Sequence, residues 1–415
     1  DDRAAGHSAV GTAHRSVDGT VDGAIGPADI SRHRPGPPGS RVSGREEPPS
    51  EQAARPAPAS PSPSPSLSSP PSPCAPDTPP PRPTAPGGSA PQVTFTGRAA
   101  QTSLLAQVLT GTPTAVPLVV LTGMPGIGKT ALAGHVAEHV RTAFPDGVLR
   151  ACLRGGSAEP LARLLRALGV PGPAVPEGLE ARAALYRSLL AGRRILVLLD
   201  DARDSAGLLP LLPGTPGCAA LVTCTGGGLV VPGARLVDVR ELDDGAALEL
   251  VAAVAGPARP QRETAALRAL VRRCAGLPLA LHLAGRRLAL EPGLPAAALA
   301  SLDGPGLLAE LKADGTAVED RFRRCRELLT PPAARALHAT AAAAPDGFGH
   351  AEVAGLTGTS GAEAADALDE LVDSGLLLPG TSDSYRYHPL VRAFAERGSP
   401  APATAGRSSD CSADR

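Results

Sequence analysis

Leu118-Val-Val-Leu-Thr-Gly-Met-Pro-Gly-Ile-Gly-Lys-Thr130 is the stretch that decides the fold. Its first four residues are a short unbroken apolar run, the pattern of a strand buried on both faces. From Gly123 to Thr130 the spacing fits G-x-x-x-x-G-K-[ST], and a helical pattern follows to about Arg141. Strand, glycine-rich turn and helix in that order set backbone N–H groups at a helix N-terminus, where the helix dipole favours an anion. The glycines permit the turns that aim those amides inward. The expected phosphate contacts are Gly123, Gly126, Ile127, Gly128, Lys129, Thr130 and Ala131. Lys129 is expected between the β- and γ-phosphates, and the Thr130 hydroxyl on Mg²⁺. The alternative is a glycine-rich turn that binds nothing; the complete motif in its strand–helix context weighs against it.

Lysine usage singles out the same position. Of the 40 basic residues only Lys129 and Lys312 are lysines. A compact ammonium on a flexible stem reaches between phosphates where a planar guanidinium fits differently. A phosphate loop also needs an acidic arm, and Ile195-Leu-Val-Leu-Leu-Asp-Asp201 supplies one: an apolar strand ending in two carboxylates at the carboxyl edge of a sheet. Asp200 is expected to hold Mg²⁺, and Asp201, the candidate catalytic residue, to orient or deprotonate an attacking water. Alternatively, one of the two caps the turn toward Ala202–Leu209.

Outward from this centre, strands at Val148–Leu153, Ala220–Thr223 and Leu236–Val239 alternate with helices near 159–168 and 179–190, the signature of a mostly parallel sheet covered on both faces. Beyond about Leu242 the pattern is helical, at 244–255, 261–274 and 278–290, with no strand expected until the end of the chain. Helices near 332–343, 350–356 and 361–374, then Leu376–Leu378, a polar turn and Tyr385–Tyr387, suggest a winged helix. The fold class is therefore α/β: a P-loop NTPase parallel sheet followed by a helical subdomain and a winged-helix domain, with a disordered N-terminal linker. The expected boundaries are 1–91 linker, 92–241 nucleotide-binding domain, 242–315 helical subdomain, 316–398 winged helix and 399–415 disordered tail. The linker rests on composition: 20 of the 46 prolines lie between Pro35 and Pro91, among Ser, Ala and Gly.

A formal net charge of -1 names no nucleic-acid or membrane partner. Seven scattered cysteines without a C-x-x-C pair read as free thiols rather than a zinc site. No apolar run approaches a membrane span and no signal pattern opens the chain, so the expected location is the cytoplasm, with no membrane partner. Residue 1 is Asp rather than Met, which leaves open that the chain is a fragment whose upstream part is missing.

A series of landmarks carries a resemblance. In order they are Phe95-Thr-Gly-Arg98, the P-loop, Phe144-Pro-Asp-Gly147, Leu185-Tyr-Arg-Ser-Leu-Leu190, the Asp200 strand, Leu211-Leu-Pro-Gly-Thr-Pro-Gly-Cys218, Gly276-Leu-Pro-Leu-Ala280 and Tyr387-His-Pro-Leu-Val-Arg392. Over about 95–397 the chain resembles the NB-ARC ATPases of the STAND class, and is most similar to the ATPase modules of actinobacterial antibiotic-pathway regulators. The resemblance implies ADP and ATP as ligands with Mg²⁺. It implies that Arg98 touches the base or ribose, that Pro278 packs near adenine, and that His388 reaches the β-phosphate of ADP. A surface arginine, a helix-starting proline and a capping histidine are the plainer readings of the same three residues. Two positions depart from the family pattern: Thr225 stands where relatives carry an arginine facing the γ-phosphate, and Pro389 follows the histidine where an Asp is common. The implied function is an ADP/ATP-controlled signalling switch working through a protein partner or self-association. Any DNA contact is expected only through missing or neighbouring domains. Without the arginine, ATP hydrolysis is expected to be slow at most. The alternatives are a non-hydrolysing nucleotide-binding scaffold and a DNA-binding regulator acting through the winged helix.

Overall fold

Side chains alternate across a strand with a period of two, and here the alternation divides the core in two. Val119, Leu121, Leu196, Leu198, Ala219 and Leu221 face one apolar cluster, whereas Val120, Val197, Leu199, Ala220 and Val222 face another. The computed structural model describes residues 95–398 apart from 112–114, 155, 344–346 and 381–383. The expected linker at 1–91 and tail at 399–415 lie outside the described residues.

The chain enters through helix α1 (Ala99–Leu109), strand β1 (Leu118–Thr122) and helix α2 (Lys129–His139). Strand β2 (Val148–Cys152), helices α3 (Ala158–Ala167) and α4 (Leu179–Leu190), and strand β3 (Leu196–Ala202) follow. A short turn of helix α5 (Ser205–Leu208) leads to β4 (Ala219–Cys224) and β5 (Arg235–Asp238). These strands form one five-stranded sheet in the order β2-β3-β4-β1-β5, with every pairing parallel. Because the order is not sequential, β4 lies between β1, which carries the glycine turn, and β3, which carries the two aspartates. Both arms therefore open at the same carboxyl edge.

Helices α6 (Asp244–Ala255), α7 (Arg259–Cys274) and α8 (Pro278–Leu290) match the expected positions, and α9 (Ala296–Ala300) and α10 (Gly304–Glu310) extend the helical region. The expectation of no strand before the chain's end needs correction. Strand β6 (Lys312–Ala313) pairs antiparallel with β7 (Thr316–Ala317) about Asp314-Gly315. Asp314 and Gly315 both adopt positive φ, as a two-residue hairpin turn requires, so the turn, rather than an apolar run, makes this ladder. The boundary expected at 315/316 falls inside it.

Helix α11 (Val318–Arg326) comes next, then α12 (Pro331–Ala343), α13 (His350–Thr357) and α14 (Gly361–Asp373). Ser360 opens α14 with a capping box closed by Glu363. A minimal antiparallel ladder of β8 (Leu378–Pro379) and β9 (Tyr385–Arg386) precedes the last helix, α15 (Pro389–Arg397). The first apolar cluster is continuous from the sheet through α6–α8 to Leu368, Leu371, Val391 and Phe394, so this last segment packs on the same core as the sheet. Among the described residues no helix is long and apolar enough to cross a membrane.

Candidate functional site

The glycine turn has the geometry its spacing requires. Gly123, Gly126 and Gly128 take φ of 135°, 84° and 91°, a region that L side chains rarely enter. At Gly123 even a methyl group would lie 2.5 Å from the carbonyl oxygen of Val239, so the loop is packed as well as turned. Gly128 forms the N-cap of α2 with no side-chain cap, which leaves the first amides of the helix free to meet an anion.

Lys129 is only 8% exposed. Its ammonium donates to the carbonyl oxygens of Gly123 at 2.7 Å and Met124 at 3.0 Å, folded over the loop. Burial lowers its pKa to about 8, opposed by the nearby Cys224, Cys325, Asp201 and Asp200. The Thr130 hydroxyl donates to Asp200 Oδ1 at 2.7 Å, joining the two arms of the site directly. From the end of β4, Thr223 donates to the same oxygen at 2.6 Å.

Asp201 is not a plain strand residue. Its φ is 62°, and the β3–β4 register shifts between Leu199 and Ala202, so β3 continues through the two carboxylates with a bulge that re-aims them. Its amide donates to Thr223 Oγ1 at 3.0 Å, and Arg154 holds its Oδ2 at 2.5 Å. Neither Asp200 nor Asp201 caps the following turn; Asp204 does, accepting from the amide of Gly207.

These residues border a cleft of about 1050 Å³, ample for a nucleotide. Of the residues expected in the site, Arg98, Gly126, Ile127, Gly128, Lys129, Thr130, Ala131, Asp200, Asp201 and Pro278 all line it. Gly123 lies at the root of the loop, outside the lining. Arg98 is 6% exposed, and its guanidinium donates to the carbonyl oxygens of Ile127 at 3.0 Å and Arg240 at 2.9 Å. Burial lowers its pKa. It therefore ties the phosphate loop to the strand end beyond β5 as well as bordering the cleft. Pro278 starts α8 and faces Gly128, and the next amide, of Leu279, donates to the Gly126 carbonyl at 3.2 Å.

His388 departs from the expected placement: it does not line the cleft. It is 2% exposed and forms the N-cap of α15, with Nδ1 accepting from the Leu390 amide at 3.2 Å. Nε2 meets the Ala275 carbonyl oxygen at 3.1 Å. Burial lowers its pKa, so the ring is neutral and donates from Nε2. The capping reading describes this geometry. By gripping Ala275, a non-glycine residue at φ 47°, His388 instead braces the turn that delivers Pro278.

Sequence reading missed the roof of the cleft. Arg321, Arg324 and Cys325 of α11 line it, with Asp373 from the end of α14. The seam with the sheet is close. Gly375 lies against Met124 and Pro125, and a methyl group on Gly226 would stand 1.8 Å from the Asp373 carbonyl oxygen. Only the α11 spacing, two arginines at i and i+3 flanking the Val318–Phe322 edge, signals this in the sequence.

No family model matches the chain. The regulatory protein AfsR of Streptomyces coelicolor is 40% identical over 333 residues, covering 75% of this chain and 34% of its own. AfsR of Streptomyces griseus is 40% identical over 310 residues, covering 72% and 32%. Over that stretch the chain is a homologue of the AfsR proteins. It spans about a third of the length of these curated relatives. Among solved structures, the Walker-type ATPase PABY2304 of Pyrococcus abyssi superposes with a TM-score of 0.50 at 15% identity, over 73% of this chain and 97% of that one. The fold is that of a P-loop NTPase.

Proposed function

We propose that this chain is the nucleotide-binding module of a regulator: an NB-ARC-type unit that binds ADP or ATP with Mg²⁺ and changes state with the nucleotide. The observation that carries this reading is the Thr130–Asp200 contact beside a glycine cradle, in a cleft roofed by the C-terminal segment. A hydroxyl and a carboxylate converging at a phosphate loop fit a hard cation that arrives with its nucleotide. Among the described residues no cluster of three or more His, Cys, Asp or Glu side chains offers a metal site of its own. Mg²⁺ held by Thr130 and Asp200 would neutralise phosphate charge. The loop amides and Lys129 would orient the phosphates, and Pro278 and Leu279 would flank the sugar and base.

In this reading residues 92–241 form the nucleotide-binding domain, 242–315 a helical subdomain and 316–398 a winged helix that serves as lid. The signal passes to a protein partner or a second copy of the chain. The homology to proteins named as regulators supports the class.

Turnover is slow at most. Asp201 Oδ2 is held by Arg154, and Thr225, which lines the cleft, offers a hydroxyl where a charge would stabilise the transition state. The Arg154–Asp201 pair also favours the second reading, a scaffold that binds nucleotide and does not hydrolyse it. Calorimetric titration with ADP and Mg²⁺, followed by single-turnover measurement with ATP, tests both. Tight ADP binding with negligible turnover supports a binding module. Turnover at an ordinary enzymatic rate removes the scaffold reading, and absence of ADP binding removes the site.

A further inference from the structure

Helix α11 carries four arginines, and they divide by face. Arg323 pairs with Glu319 at 3.0 Å and Asp320 at 2.6 Å. Arg326 lies over the Phe394 ring, 5.8 Å from its centre. Val318 and Phe322 are fully buried and anchor the helix to the core. Arg321 and Arg324 have no ion-pair or hydrogen-bond partner among the described residues. With Cys325, and with Leu328 just past the helix end, they form an i, i+3, i+4, i+7 stripe that lines the cleft.

Lys129, Thr130, Asp200 and Thr225 line the same cleft as this stripe. Burial pushes the Cys325 thiol up to about 11, and Lys129 and Arg321 are among the charges that lower it. Arg321 and Arg324, both unpaired, line the same cleft as Lys129, and like charges there repel until an anion arrives. Among the described residues a third unpaired cation, Arg203, also lines the cleft but borders a second, smaller cavity as well. Arg154 is already engaged by Asp201.

We infer that Arg321 and Arg324 meet the terminal phosphate of a bound nucleoside triphosphate, supplying from the C-terminal segment the positive charge that Thr225 does not supply from the sheet. This rests on the nucleotide-site reading above and deepens it. Reading the third phosphate from the roof gives ATP and ADP different grips on α11, which is what a ligand needs in order to shift the position of that segment. A guanidinium suits the task because its fork matches phosphate oxygens.

The test is calorimetric titration of the full chain with ADP and with a non-hydrolysable imido analogue of ATP, each with Mg²⁺. Wild type is compared with R321A/R324A, with the milder R324Q, and with R323A and R203A. The expected result is that R321A/R324A weakens the analogue by about tenfold or more, the scale of lost charge-assisted hydrogen bonds. ADP should change by less than about threefold, with R324Q intermediate and R323A silent. Equal weakening of both nucleotides, no weakening, or discrimination lost in R203A instead would overturn the inference while leaving the site in place. Wild type binding neither nucleotide would overturn the site reading itself, and this inference with it. ADP binding by R324Q, whose parent residue is exposed, shows that the cleft is folded should the double variant fail to fold.

Discussion

The floor and the roof of the cleft are built on different physical terms. The floor is local: glycine φ angles, helix amides, one lysine and one threonine within eight residues of sequence, met by a carboxylate from a strand two places away in the sheet. The roof is assembled at long range, from α11, the end of α14 and the Ala275–Pro278 turn braced by His388. A backbone cradle leaves its mark as a fixed spacing. A roof made of packed faces leaves only ordinary helical periodicity, and its contacts appear once the chain is folded.

Four perturbations sharpen or break this contrast. The largest effect is expected at the seam, where Gly226 sits at φ 75° with no room for a side chain beside Asp373. Gly226→Val should destabilise the packing of the C-terminal segment by about 3 kcal/mol or more, adding backbone strain to a steric clash. Thermal unfolding and limited proteolysis would register it as a fall in midpoint and new cleavage near α14. An unchanged midpoint would mean that floor and roof do not meet as described.

Lys129→Ala tests the floor alone. ADP affinity should fall at least a hundredfold, roughly 3 kcal/mol. The thermal midpoint without nucleotide should hold or rise, because a buried charge is removed. Undiminished affinity by calorimetry would refute the assignment of this loop.

His388→Ala removes both a helix cap and the grip on Ala275. A loss of about 1–2 kcal/mol in denaturant unfolding is expected. ADP affinity should weaken only a few-fold, because the imidazole does not line the cleft. A loss of affinity as large as that of Lys129→Ala would place the ring against the nucleotide after all.

The smallest effect is a pH dependence. Burial favours the neutral amine, so the folded-state pKa of Lys129, about 8, lies below its unfolded value. Bound phosphate holds the proton on. ADP affinity should therefore be flat below about pH 7.5 and fall above 8, by up to about tenfold per unit. In the nucleotide-free protein the sign reverses: stability contributed by this group is absent below the folded pKa and grows as pH rises toward the unfolded one. A flat affinity profile to pH 9.5, followed by calorimetry, would show that the ammonium is not what holds the phosphate.

The parallel sheet, the glycine turn and the strand that carries the two aspartates were legible because each strand is a continuous apolar run and the P-loop ties backbone conformation to residue type. The aspartates were placed correctly at a strand end, yet the bulge that re-aims Asp201 follows from pairing with β4 and Thr223, which no local pattern encodes. The β6–β7 hairpin was missed because its strands are two residues long and only Asp314-Gly315 marks them. His388 was drawn toward the nucleotide by a motif whose neighbouring residues depart from the pattern, with Pro389 starting a helix that the histidine caps. Arg321 and Arg324 stood in a helix rich in charge, where pairing with neighbours is the ordinary outcome, and only the folded contacts separate them from Arg323 and Arg326.

The glycine seam has a mechanical consequence. Where Gly226 meets the Asp373 main chain and Gly375 meets the Met124 main chain and the rigid Pro125 ring, little flexible side chain is available to bend or rotate under load. Parts that meet in this way behave as a latch rather than a spring: seated or released, with a threshold between. In the proposed switch such a joint would convert a graded supply of nucleotide into a yes-or-no output. Its trip point would be set by how well two short stretches of backbone fit, and tuning it would require reshaping the main chain rather than exchanging surface residues.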